Sequence, residues 1–140
     1  MIAHKQQFRH RPEQGEHGDC MRTVIASLLE LDPGEVPHEH RDLVAGEQDA
    51  QMNAWLSSRG MAIVSLAFPD PPQLVMEGMA VWNPGQIYML SGRSRSGFDH
   101  VVIARDAEII HDPHPDNVGL TDPDSNGLTW VGLLVPTSVR

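Results

Sequence analysis

The stretch Val101-Val102-Ile103-Ala104, followed beyond Arg105-Asp106 by Glu108-Ile109-Ile110, constrains the fold of this chain more than any other segment. β-Branched residues dominate both runs, and a short polar break between two such runs reads as a β-hairpin. A lone hairpin is at best marginal in water, so the remaining residues must supply more strands and something to cover them. Gln86–Leu90, Met61–Leu66 and Leu128–Val135 have the composition of further strands. Upstream, Val24, Ile25, Leu28, Leu29 and Leu31 fall at helical spacing, with Asp19 the expected N-cap and Asp32-Pro33-Gly34 the stop. This predicts a helix of about three turns with Cys20 in its first turn. A second helix is expected from about Glu47 to Arg59, with Met52, Trp55 and Leu56 on one face and Gly60 ending it. Residues 1–18 read as a loop or arm, and Gly34–Gly46, Ser91–Gly97 and Asp112–Asn126 as loops. Pro69, Pro71 and Pro72 punctuate the chain before a segment through Met79 that is not assigned. Helices come first and strands later, which predicts an α+β fold with helices packed on an antiparallel sheet. The expected core includes Val24, Ile25, Leu28, Val101, Ile103 and Ile109, with Trp55, Trp82 and Trp130 as core or cleft wall.

A chain of 140 residues with 40% hydrophobic and 21% charged residues can bury one core, so a single domain over residues 1–140 is expected. Nineteen acidic residues against ten basic ones give a formal charge of −9. That balance argues against nucleic acid or an anionic membrane as partner, because either would need a basic face. Arg93 and Arg95 are the nearest approach to a basic patch. A single cysteine excludes an intramolecular disulfide, and the polar, histidine-rich stretch from Met1 to Pro12 has no apolar run to act as signal or anchor. The expectation is a soluble, cytoplasmic protein, with its oligomeric state left open.

The lone cysteine then needs an explanation. At a helix start, free amides and the macrodipole favour the thiolate, which is the attacking species; the competing explanation is a small buried apolar side chain. Three features favour chemistry. Gln14 lies six residues before Cys20 and could donate, with the Cys20 amide, to an oxyanion. If the hairpin is symmetric about Asp106, His100 and Asp112 face each other across it, so a carboxylate could orient the imidazole. A one-residue slip would separate them. The polar loop Ser91–Asp99 just before His100 is suited to flanking a cleft.

Eight histidines raise the question of a metal. His38-Glu39-His40 and His111-Asp112-Pro113-His114 have chelating spacings, but no second cysteine and no helical His-Glu-x-x-His accompanies them. No metal or other cofactor is expected. His17 and His111 are rival bases and Asp99 a rival orienter, each disfavoured by position or by strand alternation.

Gln14, Asp19-Cys20, His100-Val101-Val102 and Asp112-Pro113, in that order, resemble the papain-like cysteine peptidases. The pattern is most similar to the compact bacterial branch that trims double-glycine leader peptides, and to small bacterial and phage proteins. Met21 departs from the glycine usual after the cysteine in that branch, which weakens the inference to its substrates. The resemblance implies a papain-like fold with Cys20 as nucleophile, His100 as general base, Asp112 as orienter and Gln14 as oxyanion donor. It implies a cysteine-dependent hydrolase acting on a peptide or protein through an acyl-enzyme. The same constellation serves acyl transfer or deamidation, and a non-catalytic binding protein could retain it; the sequence does not separate these.

Overall fold

The computed structural model describes residues 1–10, 18–38 and 45–138, with residues 45–49 described as backbone only. Three α-helices and five strands follow in the order α1 (Cys20–Leu29), a 3-10 turn (Pro33–Glu35), α2 (Ala45–Ser58), β1 (Met61–Phe68), α3 (Pro72–Trp82), β2 (Ile87–Arg93), β3 (Asp99–Arg105), β4 (Glu108–His111) and β5 (Thr129–Pro136). The strands form one open antiparallel sheet in the order β1-β5-β2-β3-β4. The chain is therefore α+β, as expected.

Both faces of the sheet are covered. Val24, Ile25 and Ala26 of α1 and Met52 and Leu56 of α2 pack on Met89, Val101 and Ile103. Val75, Met76 and Met79 of α3 pack on Tyr88, Leu90, Val102, Ala104 and Val131 of the opposite face. This explains the unbroken apolar run in β3. Successive side chains point to opposite faces, and each face meets a helix, so Val101 to Ala104 are all buried. Leu28 and Ile109 of the expected core are half-buried at its margins. Trp55 packs against the α1-side core, whereas Trp82 is 82% exposed at the end of α3, outside the core, where it lines a surface pocket with Phe68, Leu74 and Val75.

The segment not assigned from sequence is α3. Pro72 occupies its first turn, where a missing N–H costs nothing, and Val75, Met76 and Met79 form its buried stripe. The helix at α1 ends at Glu30, which adopts a left-handed conformation (φ 58°), before the expected Asp32-Pro33-Gly34. Asp32 instead caps the 3-10 turn, accepting from the Gly34 N–H while Glu35 accepts from the Asp32 N–H.

Asp19 stands at the N-cap position, but its carboxylate makes no cap hydrogen bond. It turns away from the helix amides instead and, fully buried, accepts from the backbone N–H groups of Phe8 (2.9 Å) and Gln7 (3.3 Å) and from Arg22 (3.0 Å). The expected helix cap thus fastens the N-terminal arm. Ile2 N–H donates to Ser27 O, His4 N–H to Ser27 Oγ and Gln6 N–H to Pro113 O, while Lys5 Nζ donates to the carbonyls of Asp112 and His114. Residues 1–10 therefore tie α1 to the segment that follows β4.

Candidate active site

Cys20 is the first residue of α1 and is half-buried. Its N–H, like the next few, has no carbonyl one turn earlier to donate to, so the helix start offers amide donors beside the sulfur. His100 is the second residue of β3 and lies opposite Gly92 of β2. A Cβ on Gly92 would come within 2.7 Å of the Asp122 carbonyl oxygen, so only glycine lets the chain at Asp122 close down on that position.

The β3–β4 hairpin does not have the symmetric register expected about Asp106. Arg105 pairs with Glu108 and Ala104 with Ile109 around a two-residue turn, and the ladder then shifts so that Ile103 pairs with His111. Ile110 is the extra residue of a β-bulge. Had the tight register continued, His100 would lie opposite Pro113 and Asp112 would point away. The extra residue moves the projected partner of His100 to His114, and Asp112 falls two positions away in the same alternation. The rings of His100 and His114 accordingly meet edge to face, with centroids 6.0 Å apart. The expected contact forms, but through a bulge rather than direct opposition.

Asp112 Oδ1 accepts from His100 Nε2 at 2.7 Å, and both side chains are buried. The carboxylate also accepts from the backbone N–H of His114 (2.9 Å, on Oδ1) and of Gly119 (2.7 Å, on Oδ2). With Nε2 committed to Asp112, the other ring nitrogen remains for Cys20, which lines the same cleft as His100. Burial works against the imidazolium, but hydrogen bonds to Asp112 and Cys20 and the charges of both outweigh it, and the His100 pKa rises to about 9. Burial likewise opposes the Asp112 carboxylate, yet the His100, Gly119 and His114 donors hold its pKa down to about 2. His114, desolvated and close to the cation on His100, is shifted down. At neutral pH this holds a charged imidazole against the carboxylate, in a cleft that Cys20 also lines.

The structure thus brings together Cys20, His100 and Asp112. Gln14 and the rival base His17 lie outside the described residues, as do Glu39 and His40 of the His38-Glu39-His40 motif. His111 approaches the His4 carbonyl (2.6 Å), and Asp99 accepts from the Ser125 N–H and Oγ, so neither rival joins the cluster. Among the described residues no group of three or more His, Cys, Asp and Glu side chains is arranged to hold a metal, and no helix is long and apolar enough to cross a membrane.

No family model, curated protein or solved structure matches this chain.

Cys20 and His100 open onto a cleft of about 530 Å³, walled by Gln6, Arg9 and His10 of the arm, Arg93, Ser94 and Ser96 to Phe98 around the β2–β3 turn, and His114. Gln6 carries no sequence signal, since it sits in the polar arm far from the motifs. Arg93 was visible only as half of a weak basic pair. It enters the cleft because β2 runs on to Arg93, through part of the segment expected to be loop.

Proposed function

We propose that this chain is a cysteine-dependent hydrolase of papain-like architecture that cleaves an amide bond in a peptide or protein through an acyl-enzyme. The observation that carries the reading is the buried His100–Asp112 hydrogen bond of 2.7 Å beside a cleft that Cys20 and His100 line together. An α+β chain with a helix-initial cysteine and a strand-borne histidine beside an open antiparallel sheet is compatible with that architecture.

The chemistry follows from the protonation states. With His100 raised to about 9, an imidazolium is available at neutral pH as the proton donor, and the proposed nucleophile is the Cys20 sulfur in its thiolate form. The Cys20 sulfur attacks the carbonyl carbon, and the negative charge moves to the carbonyl oxygen, where the Cys20 N–H at the helix mouth is a donor. Collapse of this intermediate breaks the C–N bond as His100 gives its proton to the leaving amine. Neutral His100 then takes a proton from water, the hydroxide attacks the thioester, and the acid product leaves with the thiolate and imidazolium restored. Asp112 keeps the ring oriented and its charge balanced throughout. Gln14, six residues before Cys20, is the proposed second oxyanion donor.

The test is cleavage of a mixed peptide library by the purified protein, with products read by mass spectrometry alongside Cys20→Ala and His100→Ala. The reading requires products that both variants lack, and a Cys20 thiol that iodoacetamide alkylates at pH 7 faster than free cysteine. A thiol that reacts only at alkaline pH, with no product from any peptide, would remove the enzyme assignment.

A further inference from the structure

Among the described residues, the cleft beside Cys20 carries two arginines against one carboxylate in a chain of net charge −9. Arg9 and Arg93 line it, together with His10 and His114. Its carboxylate wall is Asp99, which stands opposite Arg93 across the β2–β3 ladder but turns its oxygens to the Ser125 N–H and hydroxyl. Arg9 is committed to Asp116 at 2.6 Å. Arg93 differs. Among the described residues its guanidinium has no ion-pair partner, and its Nε is buried without an acceptor. Gln6 supplies the converse group in the same cleft: its Nε2 donates to the Phe8 carbonyl, while its Oε1 is buried without a donor. A buried donor without an acceptor and a buried acceptor without a donor are each costly and rare in native proteins. Here they border one cavity that also contains the thiol.

We infer that Arg93 is a specificity-determining residue of this site, and that the substrate carries a carboxylate close to the bond presented to Cys20. The inference rests on the proposed thiol chemistry and adds the substrate class. A guanidinium donates to a carboxylate in a planar, two-pronged geometry, with Nε as one prong, which would satisfy the buried donor. Gln6 Oε1 then receives an N–H of the substrate backbone. An acidic side chain and a free C-terminal carboxylate share this chemistry.

Four electrophiles with the same reactive end separate these sources without a known substrate. They are iodoacetyl-aspartic acid α-amide, iodoacetyl-alanine with a free carboxylate, and the neutral iodoacetyl-asparagine amide and iodoacetyl-alanine amide. In each, the Cys20 thiolate displaces iodide and forms a thioether, followed by intact mass. At pH 7 at least one acidic probe should outpace its neutral counterpart by about tenfold more than it does with free cysteine, and whichever does so names the source. Arg93→Gln should reduce that ratio to within about twofold of free cysteine. Arg105→Gln, which removes the same charge at the far end of β3, should keep it. An acidic-to-neutral ratio in the native protein no greater than that of free cysteine overturns the inference while leaving the thiol reading intact. A ratio retained in Arg93→Gln would assign the selectivity to the His100 cation and likewise overturn it. If no probe reacts faster with Cys20 than with free cysteine, the underlying thiol reading fails, and the inference with it.

Discussion

Replacing Asp112 with Asn removes one charge at nearly constant shape, and its effects can be worked from the geometry. The carboxylate accepts from His100 Nε2 and from the amides of His114 and Gly119 at 2.7, 2.9 and 2.7 Å. The rise of the His100 pKa from 6.5 to about 9 amounts to on the order of 3 kcal/mol in favour of the imidazolium. Asp112 and Cys20 share in that rise, so Asp112→Asn should lower the His100 pKa by roughly one to two units, or about 1–3 kcal/mol. The ring proton resonances of His100, followed by NMR across pH 5 to 11, report this directly. Stability should change as well, with a definite sign. Because the folded-state pKa of His100 is raised, its contribution is complete below the unfolded value near 6.5 and is lost as the pH climbs through about 9. The native protein should therefore lose stability across that interval in urea titrations, and Asp112→Asn should show a shallower loss. The variant should also be weaker at every pH in the interval, by about 1–3 kcal/mol, because one amide N–H that the carboxylate accepted must now face a carboxamide NH₂. A His100 titration unmoved by the substitution would mean that Asp112 does not hold the imidazolium, and the coupled triad would have to be abandoned.

Gly92→Ala should cost about 2 kcal/mol in chemical denaturation, since the new methyl would stand 2.7 Å from the Asp122 carbonyl oxygen; a neutral effect would show that this chain segment yields freely. Asp19→Ala leaves the Arg22 guanidinium with Gln7 Oε1 and the Phe8 ring but no carboxylate, and frees the Gln7 and Phe8 amides, for an expected loss of about 3 kcal/mol, with faster hydrogen exchange at those two amides as the local signature. Ile25→Ala, emptying a fully buried position between α1 and the sheet, should cost about 3–4 kcal/mol. Trp82→Ser should leave stability within about 0.5 kcal/mol, because the indole is 82% exposed; a large loss would reveal a partner for that face.

Elements with strong local patterns were legible in the sequence, and those defined by long-range contacts were not. The helix at Cys20 and the strand at Val101 could be read because their apolar spacing matches the faces they bury. The helix at Pro72 was obscured because three prolines within four positions resemble a loop, although one of them occupies the first turn where proline is tolerated. Asp19 stands at the expected N-cap position, but what its carboxylate holds is hidden in the sequence for a related reason. An aspartate before a helix normally caps it, and nothing local reveals that the arm will arrive with two amides in need of an acceptor.

The pairing of His100 with Asp112 shows how a right neighbour can follow from a wrong register. Symmetry about Asp106 is one way to bring these residues to one side; a tighter turn plus one surplus residue is another. Ile109, Ile110 and His111 suit a strand in either case, so local propensity does not choose between them. Packing does. Ile109 enters the core beneath α3 and Ile110 the core beneath α1, which consumes the extra residue between two hydrophobic layers. The alternation is thereby reset just before Asp112, and the arm then clamps the segment through Lys5 and Gln6. The two cores thus fix the distance between carboxylate and imidazole. Deleting Ile110 should therefore do more than remove one apolar contact. It should return Asp112 to the opposite face and release the His100 imidazolium, with a titration below that of Asp112→Asn because the sulfur contact would loosen with it. A deletion variant that still titrates near pH 9 would show that the bulge is incidental to the site.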